Sequence, residues 1–136
     1  MKEWEICESG SKLDISVWNE ATEVICIKAE GIVDSSTSEI FKAIMSSKRR
    51  SKWDESFVSM ETIEAYSKHS GTYRYRYNCT PKYKDREADI VRDTHTTESD
   101  EQIIAYRTVK HPDAPKQTRS VILSSISVCA FILQPH

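Results

Sequence analysis

The chain has 136 residues, the usual size of one domain, and burying roughly two thirds of its unfolded surface supplies one core. Nineteen Lys and Arg stand against 21 Asp and Glu, and a net charge of −2 gives no electrostatic reason to expect non-specific nucleic-acid binding. At 38% hydrophobic and 29% charged residues, with three Gly and four Pro, the composition excludes a disordered or linker-rich chain.

The N-terminus, Met1-Lys2-Glu3-Trp4-Glu5, carries acidic residues and no apolar region, so it does not read as a secretory signal, and a cytoplasmic location is expected. Leu13, Ile15 and Val17 alternate with Asp14 and Ser16, the pattern of a half-buried strand. Residues 24–29 read as a strand apolar on both sides, interrupted by Gly31. The period then changes. Asp34, Ser35 and Ser36 offer cap oxygens, Glu39 lies three residues beyond Ser36, and Ile40, Phe41, Ile44 and Met45 recur at helical spacing. This predicts an amphipathic helix over 37–47, followed by the basic run Lys48-Arg49-Arg50-Ser51-Lys52 and then Trp53-Asp54.

Strands dominate the rest of the chain. Residues 57–66 alternate, and Lys68-His69-Ser70-Gly71 makes a turn. Tyr73, Tyr75 and Tyr77 alternate with Arg74 and Arg76, giving an aromatic face and a basic face. Residues 87–96 and 102–109 form a strand pair joined by Glu98-Ser99-Asp100-Glu101. His111-Pro112-Asp113-Ala114-Pro115 cannot be a central strand, because Pro lacks the ladder donor. Residues 119–133 read as one long final strand with no formal charge beyond Arg119. The order is strand, strand, helix and an antiparallel meander, an α+β pattern in a single domain over 1–136. The longest apolar candidate, Val128 to Leu133, falls far short of the roughly 18 residues of a membrane span.

No motif places a catalytic group. There is no H-E-x-x-H, no clustered His/Cys set, no nucleophile elbow and no phosphate-cradling glycine loop, so neither an enzyme nor a metal or cofactor is expected. Cys7, Cys26, Cys79 and Cys129 are scattered, as reduced, mostly buried thiols would be. Asn78-Cys79-Thr80 matches a glycosylation pattern that a cytosolic chain has no use for. The histidines at 69, 95, 111 and 136 each stand alone.

The remaining candidates are charges in apolar surroundings. Arg50 and Asp54 lie four apart, so one helical turn can pair them, either as an exposed ion pair or as a pair facing a cavity where Arg50 meets an anionic headgroup. Arg92 marks the polar end of a pocket if it points inward and is simply solvated if it points outward. Tyr73, Tyr75 and Tyr77 either line a pocket or pack a core. Ser125 shares a strand face with Val121 and Leu123, where small side chains leave room for a ligand or form an ordinary exposed face.

Several segments in order resemble the StAR-related lipid-transfer (START) domains. "AEGIVDSSTSEIFKAIMSSKRRSKWDESFV" is similar to the family's strand–helix–Trp-Asp segment, "YRYRYNCTPKYKDREADIVR" to its central hairpin, and "VKHPDAPKQTRSVILSS" to the loop and long strand after it. The resemblance spans roughly residues 4–135. It implies a helix-grip fold, a curved antiparallel sheet around a tunnel for one lipid, with the final strand and the C-terminal lid helix lacking here. It further implies binding of a phospholipid or sterol and its transfer between membranes, with transient contact at a membrane surface. A ligand-sensing or scaffolding module of the same fold is the alternative.

By the same resemblance, Arg50 and Asp54 match the headgroup end of the phosphatidylcholine-transfer members, and Arg92 matches a cavity arginine of the cholesterol-binding members. Tyr75 matches one aromatic of a choline cage whose other positions fall on Ala88 and Leu123, neither able to make a cation–π contact. Ser125 falls where a glutamine would reach a lipid carbonyl, and His111, Pro112, Asp113 and Pro115 resemble the gate beside the tunnel mouth. The apolar end at Phe131-Ile132-Leu133 then reads as a core strand without its neighbour, and the expectation is either a sequence cut short or a partner chain, a second copy included, that fills the gap.

Overall fold

The computed structural model describes residues 5–10, 12–19, 25–79, 82–117, 121–126 and 129–136, without the side chains of residues 5, 7–9, 19 and 123. The chain forms two compact units, one up to Ser35 with His136, the other Ser36–Pro135.

The first unit is an antiparallel sheet in the order β1 (Glu5–Ser9), β2 (Leu13–Asn19), β3 (Ile25–Gly31). Strand β1 goes beyond the sequence reading. It carries little alternation of its own, and β2 supplies its partner groups, with a bulge between Ile6 and Glu8. The strand β2 forms as expected, but its burial does not follow the alternation: Ser16 is buried while Leu13 is half exposed. Leu13 pairs with Gly31, which has no side chain to cover it. Gly31 ends β3 rather than interrupting it: a Cβ there would lie 2.7 Å from the Lys12 carbonyl oxygen, so the close approach of β2 selects glycine.

The second unit begins with α1 (Thr37–Met45), whose N-cap is Ser36. The Ser36 Oγ accepts from the Glu39 N–H at 3.2 Å, satisfying one of the four free donors of the first turn. The Glu39 carboxylate turns outward to Lys42 (2.7 Å) and Arg49 (2.8 Å). The predicted helix over 37–47 is in fact two. Ser46 is extended (φ −85°, ψ 119°), ends α1 and caps α2 (Ser47–Arg50) by accepting from the Arg49 N–H. The basic run is therefore largely helical. Trp53 Nε1–H donates to the Ala43 carbonyl at 3.1 Å, using one of the free acceptors at the end of α1.

Six strands follow: β4 (Phe57–Ala65), β5 (Gly71–Tyr77), β6 (Asp85–Thr96), β7 (Gln102–Thr108), β8 (Val121–Leu123) and β9 (Cys129–Leu133). The sheet order is β4-β5-β6-β7-β9, with β8 beside β6. Two register shifts between β4 and β5 bend this edge, as bulges do. Asp100 takes φ 60° in the β6–β7 hairpin, a conformation its short polar side chain tolerates.

The long final strand does not form as one piece. β8 runs parallel to β6 at Asp85–Glu87, and β9 pairs antiparallel with the outer edge of β7. The reason is steric. β7 occupies the same edge of β6 from Ile90 onward, so the chain must step around the end of β7. Ser124 N–H donates to the Glu87 carbonyl (2.7 Å), and Thr108 binds Ile126 through both its N–H and its Oγ1 at that step.

The cross-strand registers Tyr73↔Ile90 and Tyr75↔Ala88 place these residues on one face with Arg92. Tyr73, Tyr75, Ala88, Ile90 and Tyr106 form the core, flanked by Met60, Tyr77, Ile126, Cys129 and Phe131. Tyr75 is its hub, with ring centroids 6.1 Å from Phe57, 6.1 Å from Tyr77 and 6.2 Å from Tyr106. On the other face Arg74 holds Asp89 through two bonds of 2.7 and 2.8 Å, and Arg76 meets Asp85 at 3.0 Å. The basic face of β5 thus pairs with the acidic positions of β6.

Candidate functional site

Two arginines converge on Tyr75. Arg50, at the end of α2, is buried, with Nε 3.0 Å from Asp54 Oδ2. The four-residue spacing and the helical turn bring them together, and the pair faces inward rather than into solvent. Asp54 Oδ1 is held by the N–H and Oγ of Ser56 at 3.1 and 2.6 Å. The Arg50 guanidinium lies 5.8, 5.3 and 5.6 Å from the rings of Trp53, Phe57 and Tyr75. Burial opposes the charge on Arg50 most strongly, but the Asp54 hydrogen bond and the surrounding Tyr77, Tyr106 and Tyr75 together outweigh it, and the pKa lies above its ordinary value. Burial likewise opposes the Asp54 charge, yet Ser56 and Arg50 hold its pKa below the usual carboxylate range. The same enclosure pushes the Tyr77 hydroxyl up to about 12 and that of Tyr106 further up still.

Arg92 approaches from β6 and points inward. It is 4% exposed, its Nη1 donates to the Tyr75 hydroxyl at 2.8 Å and reaches Met60 Sδ at 3.4 Å, and its Nε reaches the His69 carbonyl at 3.3 Å. The Tyr73 ring lies 4.1 Å from its guanidinium. No carboxylate pairs with Arg92 among the described residues. The position opposite Arg92 on β5 is Gly71, where a Cβ would lie 2.9 Å from the Tyr73 hydroxyl and 2.5 Å from the Glu64 carbonyl, so the glycine makes room for the ring beside the arginine.

Arg92 and Tyr73 form the inner end of a groove of about 500 Å³. Phe41, Met45 and Lys42 of α1 and Arg49 of α2 make one wall, and Met60, Thr62 and Ala65 of β4 the other. Lys68 and His69 of the β4–β5 turn stand at the mouth, where His69 meets Phe41 edge-on at 5.2 Å. The His111 Nδ1 accepts from the Asp113 N–H at 3.1 Å, so the neutral ring carries its proton on Nε2, which donates to Glu64 Oε2 at 2.6 Å. That bond ties the 111–115 loop to β4.

The structure thus brings together Arg50, Asp54, Tyr73, Tyr75, Tyr77 and Arg92. Ser125 is exposed in the link between β8 and β9, away from the groove walls, and the Leu123 side chain lies outside the described residues. Pro112 and Asp113 are exposed and Pro115 is half-buried, none of them lining the groove. The sequence reading missed the groove lining from Met60, Lys68 and His69. Phe41 and Met45 were visible only as the apolar stripe of a helix. Cys26, Cys79 and Cys129 are free thiols. No helix among the described residues is long and apolar enough to cross a membrane.

A curved sheet with a charged, aromatic-lined interior and a groove under a short helix is a ligand-holding architecture. The START domain family model matches residues 1–136, and the chain belongs to that family. No curated protein sequence matches it significantly. Its fold is similar to the lipid transfer and protein localization domain of human StarD13 (DLC2), at TM-score 0.86 and 19% identity over 100% of this chain and 68% of that one. It is equally similar to human StAR-related lipid transfer protein 5, at TM-score 0.86 and 19% identity over 98% of this chain and 65% of that one. Human STARD10 matches at TM-score 0.82 and 19% identity, over 95% of this chain and 53% of that one. The chain thus spans between half and about two thirds of the length of these structures.

Proposed function

We propose that the chain binds one lipid, phospholipid or sterol, with its apolar part in the groove and its polar end at Arg92 and the Arg50–Asp54 pair, and carries it between membranes through transient surface contact. The observation that carries this reading is Arg92. A buried guanidinium without a carboxylate is costly unless a further acceptor completes it, and this one lies at the inner end of an apolar-walled groove. A lipid carried through water must cover its tail, since each exposed CH₂ costs about 0.8 kcal/mol. Family membership and the names of the similar structures support the same ligand class.

The test is transfer of a labelled lipid from donor to acceptor vesicles by the purified chain. Transfer faster than the spontaneous rate is expected. Binding without transfer would favour the sensing module, and neither binding nor transfer would end the lipid reading.

A further inference from the structure

We propose that the polar group of the ligand is an anion, so that the groove takes an acidic amphiphile (a lipid carboxylate or phosphate monoester) in preference to a neutral or zwitterionic one. This rests on the lipid reading above and specifies its ligand. The groove lining contains Lys42, Arg49, Lys68 and Arg92, and no Asp or Glu at all. One carboxylate outside the lining, Glu39, serves both Lys42 and Arg49. Lys68 makes no ion pair among the described residues, and Arg92 binds only neutral acceptors. The excess positive charge therefore runs from the mouth to the buried inner end.

Other headgroups fit this arrangement less well. A quaternary ammonium needs a carboxylate or free aromatic faces. No carboxylate lines the groove, and the Tyr73 face already carries Arg92. A sterol hydroxyl can accept from Arg92 but gives Lys68 nothing. An anion meets both needs, because a guanidinium donates in a planar fork to carboxylate or phosphate and an ammonium adds a point charge. Phe41, Met45, Met60 and Ala65 supply an apolar wall for the tail.

The experiment compares ligands of identical tail by native mass spectrometry and fluorescence displacement on the whole chain: oleic acid against oleyl alcohol, and dioleoyl phosphatidic acid against dioleoyl phosphatidylcholine. The two pairs separate a carboxylate from a phosphate source. In at least one pair the anion should bind one per chain and about tenfold more tightly, the difference expected of charge-assisted over neutral hydrogen bonds. Lys68→Gln, at an exposed turn position, should cut that preference several-fold. Equal affinity within both pairs would overturn the anion assignment and leave lipid binding intact. An unchanged preference in Lys68→Gln would overturn it as well. Failure of all four ligands, and of cholesterol run beside them, to bind would instead overturn the lipid reading itself.

Discussion

The Arg92 Nη1 donates to the Tyr75 hydroxyl at 2.8 Å, and this bond takes the place of a counter-ion for a cation in the interior. Tyr75 is 2% exposed and its ring is wedged among Phe57, Tyr77 and Tyr106, so the hydroxyl cannot follow the arginine elsewhere. The cation is held in place by neutral groups, which leaves it able to accept an external partner.

That arrangement exchanges stability for binding. Replacing a buried, incompletely compensated charge with an apolar residue of similar length is often stabilising. Arg92→Met should raise the unfolding free energy of the ligand-free chain by about 1 kcal/mol while abolishing lipid retention. Urea denaturation and lipid extraction from vesicles measure the two effects. A variant that is strongly destabilised, or that keeps its lipid, contradicts the role assigned to Arg92.

The Arg50–Asp54 pair behaves differently, because each partner compensates the other. Asp54→Asn leaves Arg50 buried without its anion. The expected loss is about 2 kcal/mol, less than the 3–5 kcal/mol typical of a fully buried pair, since water reaches part of Asp54. Because the Asp54 pKa is lowered on folding, its contribution is present above the ordinary carboxylate value and disappears as pH falls through the lowered one. Acid titration of the wild type should therefore show a stability loss below about pH 4 that is smaller in Asp54→Asn.

Alkaline pH probes the core. Tyr77 is pushed up to about 12, chiefly by burial, and Tyr106 is raised further. Below about pH 10 these hydroxyls are protonated in folded and unfolded chains alike, so their contribution is complete. Between about 10 and 12 the unfolded chain ionises and the folded one does not, so stability falls as pH rises. Absorbance at the tyrosinate band should show the Tyr77 and Tyr106 step arriving late, cooperatively and together with loss of structure. Ionisation of Tyr77 and Tyr106 without unfolding would contradict the burial described.

His111 and Glu64 make a local tie rather than a core contact. His111→Ala should speed amide exchange across residues 109–117 by about fivefold or more, while global stability moves by under about 1 kcal/mol. Uniform exchange changes across the sheet would show that the loop is part of the cooperative core instead.

Much of this arrangement was legible in the residues. Ser36 with Glu39 and the stripe of Phe41, Ile44 and Met45 located α1, and the alternation of Tyr73, Tyr75 and Tyr77 located β5, because each pattern is set by local geometry. The four-residue step from Arg50 to Asp54 revealed their pairing, but its burial depends on rings that arrive from β4 and β5. The inward turn of Arg92 was open in the sequence, because spacing along β6 says nothing of which face meets Tyr75 until the register with β5 is known. The break between β8 and β9 was hidden for a similar reason. An apolar run carries no sign that its partner changes from β6 to β7. Lys68 and His69 lie in a turn whose composition announces only a turn, and their position at the groove mouth is a consequence of how α1 packs beside it.

The central claim is that the groove ending at Arg92 holds one lipid. Native mass spectrometry of the purified chain after incubation with mixed vesicles tests it most directly. One lipid mass added per chain, absent in Arg92→Met, is the expected result. A wild-type spectrum free of bound lipid, or one identical to that of Arg92→Met, would contradict it.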